Sequence, residues 1–422
     1  MKKLILPLIL TALLCGCSSA DKAPSVAEDK YTEITGIIES AENGIITVNY
    51  SGKTKEIEGE CSPGDIGRDI RITYKNGIAD NFEIYGVPYM TEAKAILENM
   101  TLEEKAGQMF FVRCPEAGKE LPITKYAVGG YILFARDFEN KTPAEVTEEI
   151  ARYQAVSKIP MLIGVDEEGG SVVRASKYSA FRSEPFKSPS ALYAEGGFDR
   201  IKADTDEKSA FLKNLGINVN LAPVCDVSLS ADDYIHDRTL GLSAEETAEY
   251  VKTVVSAMKE NKIGSVLKHF PGYGNNVNTH TGIAIDERSY DTFVNSDFLP
   301  FKAGIENGAD AVLVSHNIVN CMDDRYPASL SLKVHNILRN DLDFSGVIIT
   351  DALDMDAITD YTDSGNAAVL AVKVGNDMII CTDYETQINA VIEAVKSGDI
   401  DESLISEAVL KILMWKISLG II

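Results

Sequence analysis

Eight apolar runs separated by stretches of helical periodicity constrain this chain more than anything else in it. They are GQMFFV from residue 107, GGYILFA from 129, PMLIGVD from 160, INVNLAPVCDV from 217, GSVLKHFPG from 264, ADAVLVSHNIV from 309, GVIITDALDM from 346 and NDMIICT from 376. Near-continuous apolar strands are buried on both faces, as in a parallel sheet covered by helices. The segments between them, such as SAEETAEYVKTVVSAMKENK, carry helical spacing and end in Asn or Gly stops. Eight strand-then-helix units predict a (β/α)8 TIM barrel over residues 90–422, with a doubly wound open sheet as the rival.

Residues 31–88 are patterned differently. Short alternating runs are split by Asn43-Gly44, Ser51-Gly52 and Asn76-Gly77. Those dipeptides are hairpin signals, so a small all-β domain of about five antiparallel strands, sheet or barrel, precedes the predicted (β/α)8 barrel. It contains no catalytic constellation and reads as a spacer or a wall-binding module.

The extreme N-terminus is a targeting segment. Lys2 and Lys3 form a basic region, and Leu4 to Leu14 are apolar but short for a membrane span. Leu14-Cys15-Gly16-Cys17 resembles a bacterial lipobox. That resemblance implies a signal peptide over 1–16, lipidation at Cys17, a tether over 17–30 and an extracytoplasmic protein anchored to the cell membrane. The net charge of -24 repels phosphate backbones and argues against a nucleic-acid partner. Cys61, Cys114, Cys225, Cys321 and Cys381 are scattered without CxxC spacing, so neither a structural zinc site nor a disulfide framework is expected.

Polar residues recur where the predicted strands end: Asp166, Asp226, Lys268-His269, His316 and Asp351. In a barrel these ends share one face, where active sites are built. No Walker motif, GxSxG elbow or HExxH spacing accompanies them. Carboxylates, histidines, one lysine and arginines suit acid/base and covalent carboxylate chemistry on a neutral, hydroxyl-rich substrate.

The segments KHFPG (268–272), GVDEEGGSVVR (164–174) and TDALDM (350–355) resemble motifs of family 3 glycoside hydrolases, and MTLEEKAGQMF, NLAPVCDV and DRTLG extend the resemblance. It covers about residues 90–422 and looks most like the single-domain bacterial β-N-acetylhexosaminidase branch. It implies Asp351 as nucleophile, His280 as acid/base on the loop after the fifth strand, and Asp166, Arg174, Arg238, Lys268 and His269 as substrate-binding residues. Asp354 lies beyond the strand end and is expected to bind or cap. The implied reaction is retaining, exo-acting hydrolysis of terminal β-linked N-acetylglucosamine from cell-wall muropeptides or related oligosaccharides, with no metal or organic cofactor.

One departure matters. The family pairs its histidine with an aspartate two residues earlier, and this chain has Asn278 there. The loop is also one residue shorter than in many relatives, and Tyr273 replaces a frequent histidine. An asparagine can hold the imidazole tautomer but cannot stabilise imidazolium with a full charge. Other readings stay open: another β-sugar, a β-N-acetylglucosaminide phosphorylase in which phosphate attacks the glycosyl-enzyme, or a catalytically weakened sugar-binding lipoprotein.

Overall fold

The computed structural model describes residues 31–50, 52–62, 65–274, 284–355, 358 and 367–422. The predicted signal peptide, the tether with Cys17, and the loop residues Asn278 and His280 lie outside them. The chain divides into two compact units between Gly86 and Val87.

The first unit is one antiparallel sheet in the order β3-β2-β1-β4-β5: β1 (Tyr31–Glu42), β2 (Ile45–Tyr50), β3 (Lys53–Glu58), β4 (Asp69–Lys75) and β5 (Ile78–Tyr85). Asn43 and Gly44 turn β1 into β2 with φ of 53° and 78°, the left-handed pair that matches strand twist in a two-residue hairpin. Alternate residues, Ile38, Ile46, Val48, Ile57, Ile70, Ile72 and Tyr74, form its own small core.

The second unit contains all eight predicted strands: β6 (Phe110–Arg113), β7 (Gly130–Leu133), β8 (Leu162–Val165), β9 (Val219–Asn220), β10 (Gly264–Phe270), β12 (Ala311–Val314), β14 (Val347–Thr350) and β15 (Ile379–Cys381). A two-residue parallel pair, β11 (Ile285–Asp286) with β13 (Ile318–Val319), lies outside this sheet. The order is β14-β12-β10-β9-β8-β7-β6-β15. Its ends meet, since Met378 N donates to Ile348 O and Thr350 N to Met378 O. The sheet is therefore a barrel, and the open-sheet rival is excluded.

The fourth strand is shorter than its apolar run. Only Val219 and Asn220 form ladder, since the Ala222 N–H turns back to Asn220 O, and a bridge between Val224 and Lys268 carries the chain on toward Asp226. Outside the barrel, helix Ala244–Glu260 shows why the periodicity was readable. Ser243 and Glu246 make a reciprocal capping box, and Thr247, Tyr250, Val251, Val254, Val255 and Met258 form one buried stripe. The last helix, Glu402–Ser418, is tied to the first turns of the barrel by Lys105 to Glu402 and Lys416 to Gln108. Cys225 and Cys381 are free and buried, as small core residues.

Candidate active site

The C-terminal ends of the strands open into a cavity of about 610 Å³. Asp166, Arg174, Arg238, Lys268, His269 and Asp351 all line it, so six of the residues expected in the site come together. Asn278 and His280 fall outside the described residues.

The sharp turn after β8 supplies the floor. Gly169 sits at φ 108°, and a Cβ there would come within 2.1 Å of Lys187 O, so the turn needs glycine. Glu167 is fully buried and accepts from Arg174 N at 3.0 Å, Ala175 N at 2.9 Å and the Ser176 hydroxyl. It thereby sets the strand-like return that presents Arg174. Asn220 of β9 exchanges hydrogen bonds with the backbone of Glu167, locking the turn to the neighbouring strand.

The centre of the site is a compensated charge array. Lys268 Nζ donates to Asp166 Oδ1 at 2.7 Å and pairs with Glu168 Oε1 at 2.6 Å. Arg238 grips Glu168 with both Nε (3.0 Å) and Nη2 (2.8 Å). Arg174 reaches Asp166 Oδ2 at 3.4 Å. Burial alone would raise both carboxyls. For Asp166 the Lys268 ammonium and the Arg174 guanidinium overcome it, and for Glu168 Lys268 and Arg238 do, so both stay below the usual carboxylate range. Burial likewise opposes the Arg238 charge, and Glu168 more than restores it.

His269 is oriented by its neighbours. Arg238 can only donate, so its Nη2 contact at 3.1 Å makes His269 Nε2 the acceptor. The proton then sits on Nδ1, which donates to Asp226 Oδ2 at 2.8 Å. Asp226, six residues past β9, also accepts from Tyr273 N at 2.7 Å and so fixes the start of the following loop.

Asp351 follows β14 directly. Its N–H donates to Val314 O at 3.0 Å, and its Oδ1 accepts from Ala352 N at 2.8 Å. No partner is found for Oδ2 among the described residues. Below it, buried His316 donates through Nε2 to Ala352 O at 2.9 Å and accepts at Nδ1 from the Ser329 hydroxyl at 2.7 Å. His316 thus braces the Asp351–Ala352 turn and is not among the residues lining the cavity. Asp354 accepts from Thr382 N at 2.6 Å and also lines the cavity.

Glu168 and Arg113 were missed by sequence reasoning. Glu168 stands in a run of three acids, Asp166-Glu167-Glu168, and only its contacts with Arg238 and Lys268, distant in sequence, set it apart. Arg113 ends β6, and nothing near it in the sequence marks it. The arrangement as a whole offers fixed donors and acceptors for several hydroxyls beside one carboxylate whose Oδ2 has no partner among the described residues.

Comparison with known proteins agrees with this chemistry. The model of the glycosyl hydrolase family 3 N terminal domain matches residues 101–414. A beta-hexosaminidase of Xanthomonas campestris is 35% identical over 236 residues, 55% of this chain and 70% of that protein. A beta-hexosaminidase of Nitrosomonas eutropha is 33% identical over 258 residues, 60% of this chain and 73% of that protein. Among solved structures, a family 3 beta-N-acetylglucosaminidase from Paenibacillus matches with TM-score 0.71 and 29% identity, over 76% of this chain and 63% of that longer one. The chain belongs to glycoside hydrolase family 3, and its barrel is that of a glycoside hydrolase.

Proposed function

We propose that this protein is a retaining, exo-acting β-N-acetylglucosaminidase that removes terminal β-linked N-acetylglucosamine from cell-wall muropeptides or related amino-sugar oligomers. The observation that carries the reading is Asp351, whose Oδ2 has no partner among the described residues, in the same cavity as the Asp166–Lys268–Glu168–Arg238 array. The names of the relatives support the amino-sugar substrate.

In the first step Asp351 Oδ2 attacks the anomeric carbon. The bond to the leaving oxygen breaks, and His280 gives that oxygen its proton. In the second step water, deprotonated by His280, attacks the same carbon and releases Asp351. Two inversions give net retention. Asp166 and Glu168, held ionised, accept from sugar hydroxyls, while Lys268, Arg174 and Arg238 donate. Neutral His269 is a positioned partner whose proton lies on the Asp226 side. No step requires a metal or organic cofactor. The lipobox-like segment supports lipidation at Cys17 and an extracytoplasmic, membrane-anchored location.

Turnover of an aryl β-N-acetylglucosaminide by the full chain tests the reading. Asp351→Asn is expected to lower kcat by about 10⁴-fold or more, on the scale seen when a catalytic nucleophile is removed. Proton NMR of the first product should show the β-anomer. An α-anomer, or full activity in Asp351→Asn, rejects the mechanism.

Asn278 favours a second reading. Without an acid beside His280, an anionic acceptor meets less repulsion, and phosphate replaces water in the second step. Accumulation of sugar 1-phosphate in phosphate buffer distinguishes a phosphorylase. A sugar-binding lipoprotein would bind the sugar with no turnover for Asp351→Asn to remove.

A further inference from the structure

Four cations line the cavity, and three are committed. Arg238 is clamped on Glu168, Lys268 lies between Asp166 and Glu168, and Arg174 pairs with Asp166. Arg113 is the exception: among the described residues no carboxylate or carbonyl accepts from its guanidinium. Its buried Nε, like that of Arg174, has no hydrogen-bond partner among the described residues. A buried donor left unsatisfied is costly, and native proteins keep few of them.

Phe134, which follows β7, fixes where Arg113 can act. The Arg113 guanidinium lies 4.4 Å from the centre of the Phe134 ring, and Arg174 lies 5.7 Å from the same centre. Stacking holds the guanidinium plane through its face and leaves its N–H edge available. A planar fork of N–H groups matches the paired oxygens of a carboxylate or phosphate. The wall formed by β6, β7 and the turn after β8 therefore carries a positioned cation whose charge meets no counter-charge among the described residues.

We propose that Arg113 is a specificity residue that binds an oxyanion in the active-site cavity, one carried by the sugar substrate or a free phosphate. This rests on the reading of the cavity as a sugar-binding site. A substrate with an acidic substituent on the sugar next to the cleaved bond is thereby selected over its neutral counterpart.

The test compares two disaccharides differing by one O-3 lactyl group, which carries a carboxylate: N-acetylglucosamine β-1,4-linked to N-acetylmuramic acid, and the same sugar linked to a second N-acetylglucosamine. Wild type, Arg113→Met and Arg113→Lys are assayed as full chains, and phosphate is titrated against the neutral aryl glycoside. For a substrate-borne anion, Arg113→Met lowers the ratio of kcat/KM values, acidic over neutral, by about tenfold to a hundredfold, the scale of a charge-assisted hydrogen bond. Arg113→Lys recovers part of it. For a free anion, the ratio holds and the phosphate response of the wild type disappears in Arg113→Met. Equal losses on both disaccharides, or no change in either ratio or phosphate response, overturn the proposal. If the wild type cleaves neither disaccharide, the glycosidase reading fails by itself. Calorimetric titration of the same two sugars then decides Arg113: selective weakening for the acidic sugar in Arg113→Met supports it, and unchanged selectivity rejects it.

Discussion

Two buried lysines sit at opposite ends of the same barrel. Lys268, 2% exposed at the C-terminal mouth, is gripped by Asp166 and Glu168. Lys416, fully buried on the last helix, reaches among the described residues only the neutral Gln108 Oε1, at 2.6 Å, beneath the N-terminal ends of β6 and β7. With no counter-charge, burial pushes the Lys416 ammonium down to about 7. The difference separates two uses of a buried charge. At the mouth the cost of desolvation is offset by partners, and the result is a rigid array lining the cavity. At the other end it is not offset, and the lysine can be neutral where water is excluded.

Lys268→Met breaks the mouth and carries the larger expected effect. It leaves Asp166 with the long Arg174 contact alone and strips one of two cations from buried Glu168. Removing one partner of a buried pair costs about 3–5 kcal/mol, and turnover should fall by about 10³-fold as the hydroxyl-binding array loosens. Denaturant unfolding and kcat/KM measured together test this. Loss of activity with unchanged stability would mean that the array is not held by its own charges.

Lys416→Met tests the other end, where the sign depends on pH. The folded-state value lies below the ordinary lysine value of 10.5, so the unfolded chain binds more protons between about pH 7 and 10.5, and wild-type stability rises through that window relative to the variant. Below pH 7 the charged ammonium must be buried, and methionine of similar length should be more stable by about 1–3 kcal/mol after the lost Gln108 contact is counted. By pH 10 the advantage should vanish or reverse. Trp415, the only tryptophan, adjoins the site and reports the transition. Activity should stay within about twofold, because Lys416 lies at the end of the barrel away from the cavity. A pH-independent difference would show that Lys416 does not change protonation on folding.

The same contrast explains what the sequence made legible. All eight strands were readable because each is an apolar run bounded by breakers, and the N-terminal hairpins because Asn-Gly supplies left-handed backbone. Asp166, Lys268, His269 and Asp351 were readable because they end such runs. Glu168 was not: its difference from Glu167, which only ties down its own loop, arises from Arg238 and Lys268, 70 and 100 residues away. Arg113 was hidden for the same reason, since its lack of a partner is a property of the assembled cavity. The fourth strand was overread because the apolar pattern of INVNLAPVCDV runs on past Asn220, whereas the regular ladder stops there, the Ala222 N–H turning back to Asn220 O, and pairing resumes only at the Val224–Lys268 bridge.

Asn278→Asp has the smallest expected effect and the sharpest pH signature. Asp166 and Glu168 lie below the usual carboxylate range and Arg238 above the guanidinium one, so these three do not titrate near neutrality. A limb in the profile of kcat/KM between pH 5 and 8.5 therefore belongs to another group, and His280 is the proposed one. Departure of the leaving group needs His280 protonated, so the rate falls as pH rises through its value. Asparagine gives imidazolium no charge stabilisation, whereas a carboxylate beside it raises that value. Asn278→Asp should move the alkaline limb upward by about one pH unit and raise the rate at pH 7.5 by about threefold to tenfold for a leaving group that needs protonation. A nitrophenolate leaving group, which departs without a proton, should show little of this gain. If the limb stays in place for both substrates, the histidine–acid pairing implied by the family does not operate in this chain, and the proton must come from a group other than His280.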